Sequence, residues 1–112
     1  MKNFTVFWND VKTAYVDLTG DKVKVTRYVI HPVKQIFAKD ELTRYEFGEV
    51  LTMRCWDRNR DNISEYLDKL GIDEFNPYKI CEHTHGAMYG SNIWFLFDGE
   101  NLTSEDVLGR LK

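Results

Sequence analysis

Asn3-Phe4-Thr5-Val6-Phe7-Trp8-Asn9-Asp10, then residues 11–18, then Lys22-Val23-Lys24-Val25-Thr26-Arg27-Tyr28-Val29-Ile30, is the stretch that decides the fold. Strand side chains alternate between faces, so Phe4, Val6 and Trp8 share one face and Asn3, Thr5 and Phe7 the other. Asn9-Asp10 is a short polar turn and Thr19-Gly20-Asp21 a second. Beyond it Val23, Val25 and Val29 face one way and Lys22, Lys24 and Thr26 the other, the pattern of a half-exposed antiparallel strand. These three strands predict a meander. His31-Pro32 should end it, because proline lacks an amide donor and biases its predecessor away from helix.

The rest of the chain reads as helices and one more strand. Thr43 and Glu46 form a capping-box pair, with Leu42 and Phe47 spaced as a hydrophobic staple; Leu102, Thr103, Asp106 and Val107 repeat the device with Asp in place of Glu. Ile63, Tyr66, Leu67 and Leu70 recur at helical spacing, with Asn59 as the candidate cap, Glu65 and Lys69 paired four apart and Gly71 as the stop. Asn76-Pro77 opens a short helix that Gly86 closes. Ile93-Trp94-Phe95-Leu96-Phe97 is an apolar run of strand length, expected to be buried in the N-terminal sheet. The predicted class is α+β: one domain over residues 1–112, with a small, largely antiparallel sheet (the N-terminal meander plus the strand at 93–97) and about four short helices on one side.

Composition limits what such a domain does. The 112 residues suffice for one core, burying roughly 65% of the unfolded surface, and not for the two lobes of a kinase or a long βα series. With 29% charged and 14% aromatic residues the chain reads as globular. No apolar stretch is long enough for a membrane span, and Met1-Lys2-Asn3-Phe4-Thr5 lacks the apolar run of a signal peptide, so the expected location is cytoplasmic. Residues 1–39 carry seven basic and three acidic groups and residues 40–112 eight basic and fifteen acidic. That asymmetry is too mild for the basic footprint of a direct nucleic-acid binder. Lys22 and Lys24 fit either an acidic partner surface or protection of a sheet edge.

Candidate chemistry is sparse. Cys55 and Cys81 stand far apart and outside CxxC spacing, which reads as small buried hydrophobes in a reducing compartment. Cys81 and His85 are one helical turn apart and could face one ion, but a zinc site needs three or four ligands, His31 stands alone, and no metal is expected. Cys81 with His83 or His85 resembles a nucleophile pair by composition only. The glycines form no phosphate loop, and no cofactor is expected. Arg54-Cys55-Trp56-Asp57-Arg58-Asn59-Arg60 stands out, because a tryptophan framed by three arginines is what interface hot spots are made of. The competing reading packs Trp56 into the core and pairs the arginines with acids such as Asp57 and Asp61.

Together these motifs resemble the N-terminal subdomain of HipA-type kinases, the part that precedes the kinase core. The opening hairpin Val6-Phe7-Trp8-Asn9-Asp10-Val11-Lys12-Thr13-Ala14-Tyr15, the helix around Phe47-Gly48-Glu49-Val50-Leu51 and the helix from Arg60 to Leu70 occupy the corresponding places. The Arg54 to Arg60 loop keeps two arginines of a loop pattern seen in clostridial members and has Asp57 where they have proline. Leu70-Gly71-Ile72, the turn Thr84-His85-Gly86-Ala87-Met88 and a strand containing Trp94 are similar as well, so the likeness spans about residues 4–107. It implies a subdomain without its kinase, like the small HipS subunit of HipBST toxin–antitoxin systems. The implied function is a non-catalytic, antitoxin-like regulatory partner of a HipA-like Ser/Thr kinase core, in contact with a DNA-binding antitoxin only through the complex. Trp56, Arg54, Arg58, Arg60, Tyr45 and Tyr89 are then the candidate partner contacts, with Trp56 placed to act as a wedge near the kinase's nucleotide cleft or lobe hinge. The alternatives are a phage or mobile-element protein of this fold that binds another host protein, and third a small Cys/His-dependent enzyme or metal-binding protein.

Overall fold

The computed structural model describes residues 1–109. Five strands form one antiparallel sheet in the order β4-β3-β2-β1-β5. They are β1 (Phe4–Trp8), β2 (Val11–Asp17), β3 (Val23–Arg27), β4 (Glu41–Leu42) and β5 (Ile93–Phe97); the helices are α1 (Arg44–Thr52), α2 (Ile63–Leu70), α3 (Pro77–Thr84) and α4 (Ser104–Leu108). The α+β class, the N-terminal meander, the strand at 93–97 and the four short helices are all present as read from sequence.

The hairpin turns at Asn9, whose φ of 52° is the left-handed backbone that Asn tolerates better than most residues. Its register shifts between Val6 and Phe7, which pair with Ala14 and Lys12 and leave Thr13 as the extra residue of a bulge. Thr13 is fully buried, and its polar groups are met: its hydroxyl donates to the Val6 carbonyl at 3.3 Å, and its own carbonyl accepts from the Tyr28 amide and from Gln35 Nε2. Because Gln35 Nε2 also holds the Val29 carbonyl at 2.8 Å, the chain leaves the sheet at Arg27, three residues before the sequence pattern ends, and Ile30 is exposed. The two-residue β4 has no periodicity to betray it. It covers the β3 edge, and Glu41 pairs with both Lys24 (2.6 Å) and Lys22 (3.4 Å), which accounts for these lysines within the chain.

The helices do not all lie on one side. Phe4, Val6, Val16, Val23, Phe95 and Phe97 pack with Phe47, Leu51, Leu67, Ile80 and Cys81 of α1–α3, while Trp94, Phe7 and Leu96 pack with Val107 and Leu108 of α4 on the opposite face. Phe7 and Trp94, paired across β1 and β5, stack at 4.8 Å. The cause is visible in β5, whose run is apolar at both parities and therefore needs cover on both faces.

Both predicted capping boxes form, Thr43 with Glu46 and Thr103 with Asp106. A hydrogen bond from Lys39, then one from the Thr43 amide, holds the Glu46 carboxyl down at about 2, below its usual 4.5. A depressed carboxyl adds stability that is complete above its unfolded value and disappears as pH falls through its folded one. The gap in urea midpoint between the native chain and E46Q should therefore hold steady above about pH 5 and close toward about pH 2. A gap unchanged at the acid end would show that the charge on Glu46 contributes nothing.

Candidate functional site

Residues 53–62 connect α1 to α2 and carry the Arg/Trp run. Asp57 shapes this segment: its carboxylate accepts from the Asn59 amide at 2.8 Å and its carbonyl from the Arg60 amide at 2.9 Å. This Asx turn occupies the residues from which the sequence pattern would start the helix. α2 accordingly begins at Ile63, behind Asn62 in left-handed conformation (φ 67°) with no side-chain cap, and the expected cap at Asn59 does not form. The delay matters for the site, because it folds Arg60 back over Trp56.

Trp56 is half-buried and has both faces covered. Tyr66, on the first turns of α2, stacks on it with ring centroids 4.3 Å apart and planes 6° apart, and the Arg60 guanidinium lies 3.7 Å from its centroid. The ring is therefore neither sealed in the core nor fully open, and it is held between Tyr66 and Arg60. Tyr66 is pushed up to about 12, chiefly by burial. This sandwich forms one wall of a cleft of about 560 Å³ whose other contributors include Arg54, His83, Met88, Tyr89 and Val107. Among the described residues lining it there are three basic side chains and no carboxylate.

The six candidate contacts separate into distinct places. Arg54, Trp56, Arg60 and Tyr89 meet at the cleft, with Tyr89 86% exposed. Arg58 lies on the other side of the loop, its guanidinium 4.7 Å from the Phe75 ring. Tyr45 is exposed in the first turn of α1, the far end of that helix from the loop, and lines no part of the cleft. Nor are the arginines alike. Arg54 points inward, donating from Nε to the Gly86 carbonyl (3.0 Å) and from an Nη to Ser91 Oγ (3.0 Å) and the Ile93 carbonyl (3.3 Å). Burial pulls its guanidinium below its ordinary value, although a guanidinium stays charged in proteins.

Those bonds help close the outer edge of β5. The Phe95 amide donates to the His85 carbonyl at 2.7 Å, the Phe97 amide to Glu100 Oε1 at 2.8 Å and the Ile93 amide to Ser91 Oγ at 3.2 Å. An apolar edge left open would be a template for strand addition, and here it is occupied.

The Cys/His cluster does not assemble as its spacing suggests. α3 ends at Thr84, and His85 caps it in left-handed conformation (φ 56°), so Cys81 and His85 do not continue one helical face. His85 Nε2 instead lies 2.8 Å from Glu100 Oε2, while buried Cys81 faces α1. Among the described residues no three His, Cys, Asp or Glu side chains are grouped to hold a metal ion, and no helix is long and apolar enough to cross a membrane.

Sequence reasoning missed a different meeting. Cys55 and Cys81, 26 positions apart, are both buried free thiols with sulfurs 4.0 Å apart. No spacing rule could reveal this pair, because it arises from the packing of α1 against α3. The hydrogen bond between the two sulfurs and nearby Arg54 lower the Cys55 thiol below its usual value, against the effect of burial; Cys81 is raised by the same hydrogen bond and by burial. Compared with known proteins, the chain matches no family model, no curated protein and no solved structure.

Proposed function

We propose that the chain is a non-catalytic binding subunit that docks on a HipA-like kinase core through the Trp56 cleft and regulates it. The observation that carries this reading is the Tyr66–Trp56–Arg60 sandwich along one wall of a cleft that has basic and no acidic side chains among its described lining residues. Hot spots are enriched in Trp, Tyr and Arg, and a preordered aromatic anchor loses little conformational freedom on docking. An acidic surface on the kinase would complement Arg60 and set the orientation of approach. The resemblance to the HipA N-terminal subdomain supplies the identity of the partner.

The test is co-purification and titration with a HipA-like kinase core that lacks its own N-terminal subdomain. A complex at micromolar concentration or tighter is expected, and W56A should weaken it by about 2 kcal/mol, roughly thirtyfold. Absence of a complex at micromolar concentration overturns the kinase assignment. Unchanged affinity for W56A, with a lowered Tm, would make Trp56 a structural residue and remove it from the interface.

A further inference from the structure

The Cys55–Cys81 pair sits at the edge of the main core and outside the proposed docking cleft, and its surroundings are unlike those of inert buried cysteines. Inert structural cysteines sit in apolar surroundings without a cation. Here Arg54, the residue next to Cys55, is a half-buried cation that donates to uncharged groups, the Gly86 and Ile93 carbonyls and the Ser91 hydroxyl. The two sulfurs also compete for one acceptor: Cys55 lies 3.2 Å and Cys81 3.6 Å from the Leu51 carbonyl oxygen. One thiol can donate to that carbonyl while the other donates to its neighbour's sulfur, so the two side chains are held sulfur to sulfur.

Access is one-sided. Cys81 is fully buried in the middle of α3, whereas Cys55, 6% exposed, lines a surface cleft of about 320 Å³ together with Met53, Trp56 and Arg58. A small oxidant therefore reaches Cys55 first. The sulfurs need to close from 4.0 Å to the roughly 2.05 Å of a disulfide. Cys55 lies on the irregular segment after α1, which can absorb that movement without unwinding α3.

We propose that Cys55 and Cys81 are an oxidation site, in which Cys55 is the sulfur attacked by a peroxide and Cys81 resolves it to an intramolecular disulfide. The Cys55 thiolate attacks one oxygen of hydrogen peroxide, the O–O bond breaks, and the departing hydroxide takes up a proton and leaves as water. The sulfenic acid so formed is attacked by Cys81: the S–S bond forms, the S–O bond breaks, and the Cys81 proton leaves with the hydroxide as a second water. Two thiols are oxidised by two electrons in total and one peroxide is reduced to two waters. The bond ties the segment bearing Trp56 to α3, but the proposal stands whether or not that segment docks on a kinase.

The test treats the folded full chain with hydrogen peroxide and follows intact mass and free thiols. Both thiols should disappear together, with loss of two hydrogens, no inter-chain bond and full recovery in dithiothreitol. In C81S, Cys55 should stop at a sulfenic acid that dimedone traps, and in C55S the remaining thiol should react about tenfold more slowly than the native pair. The proposal fails if the folded native chain keeps both thiols under peroxide that fully oxidises glutathione in the same time. It fails equally if the thiols react only after unfolding in urea, or yield inter-chain disulfides or a Cys55 sulfinic acid with Cys81 still free. Kinase binding enters none of these readouts, so they separate this site from the docking assignment.

Discussion

G86A is expected to be the most damaging single-methyl change in the chain, costing about 3 kcal/mol or more, from two penalties that add. The first is conformational: Gly86 has φ +63°, where an L side chain costs about 1–2 kcal/mol. The second is steric, because a Cβ there would stand 2.4 Å from Phe95 Cε2 and 2.6 Å from two further ring carbons. Phe95 cannot retreat. It is fully buried and stacked on Phe4 with centroids 4.5 Å apart, so moving it disturbs the centre of the sheet. For a domain of this size the loss lowers Tm by about 10–20 °C. Gly71 supplies the control, since its φ of +72° is nearly the same and nothing lies within 4 Å of its added Cβ. G71A should show the backbone cost alone, about 1 kcal/mol. If the two variants melt within about 2 °C of each other, the turn does not seat on Phe95 as described.

Gly86 also shows where the sequence is legible and where it is not. As a helix stop it is readable from Asn76-Pro77 and the apolar spacing that precedes it; as the seat of Phe95 it is not, because that contact joins a turn to a strand nine positions on through the burial of both. The same division runs through the molecule. Strand alternation, apolar runs of strand length and capping boxes are local codes, and β1 to β3, β5 and both Thr-capped helices follow them. Asn59 misleads as a cap because Asp57 competes for the local amides, a choice between neighbours that residue type alone does not resolve. At the candidate site, Trp56, Arg60 and Tyr89 are legible as residue types suited to an interface, whereas Tyr66 looks like one more apolar position on α2. Only the crossing of the loop over that helix turns it into the floor under Trp56.

Arg54 carries the sharpest consequence for any mutational map of the interface. In sequence it is one of three equivalent arginines framing Trp56, yet its guanidinium holds Gly86, Ser91 and Ile93, and with them the outer edge of β5. Hydrogen bonds to a charged group contribute about 1.5–3 kcal/mol, and acceptors stripped of their donor in a half-buried site add to the loss. R54A should therefore lower stability by about 2–4 kcal/mol, and R54K should restore less than half of it, since an ammonium cannot reproduce the planar fork. R60A removes only an exposed cation–π contact and should cost about 0.5–1 kcal/mol. Urea midpoints measure all three, and equal losses for R54A and R60A would overturn the clamp. The ordering also decides how binding data are read. Weak partner binding by R54A follows from a loosened β5 edge whether or not Arg54 touches the partner, so it says nothing about contact. Weak binding by R60A, in a chain of near-native stability, has no such route and places the partner against Arg60 itself.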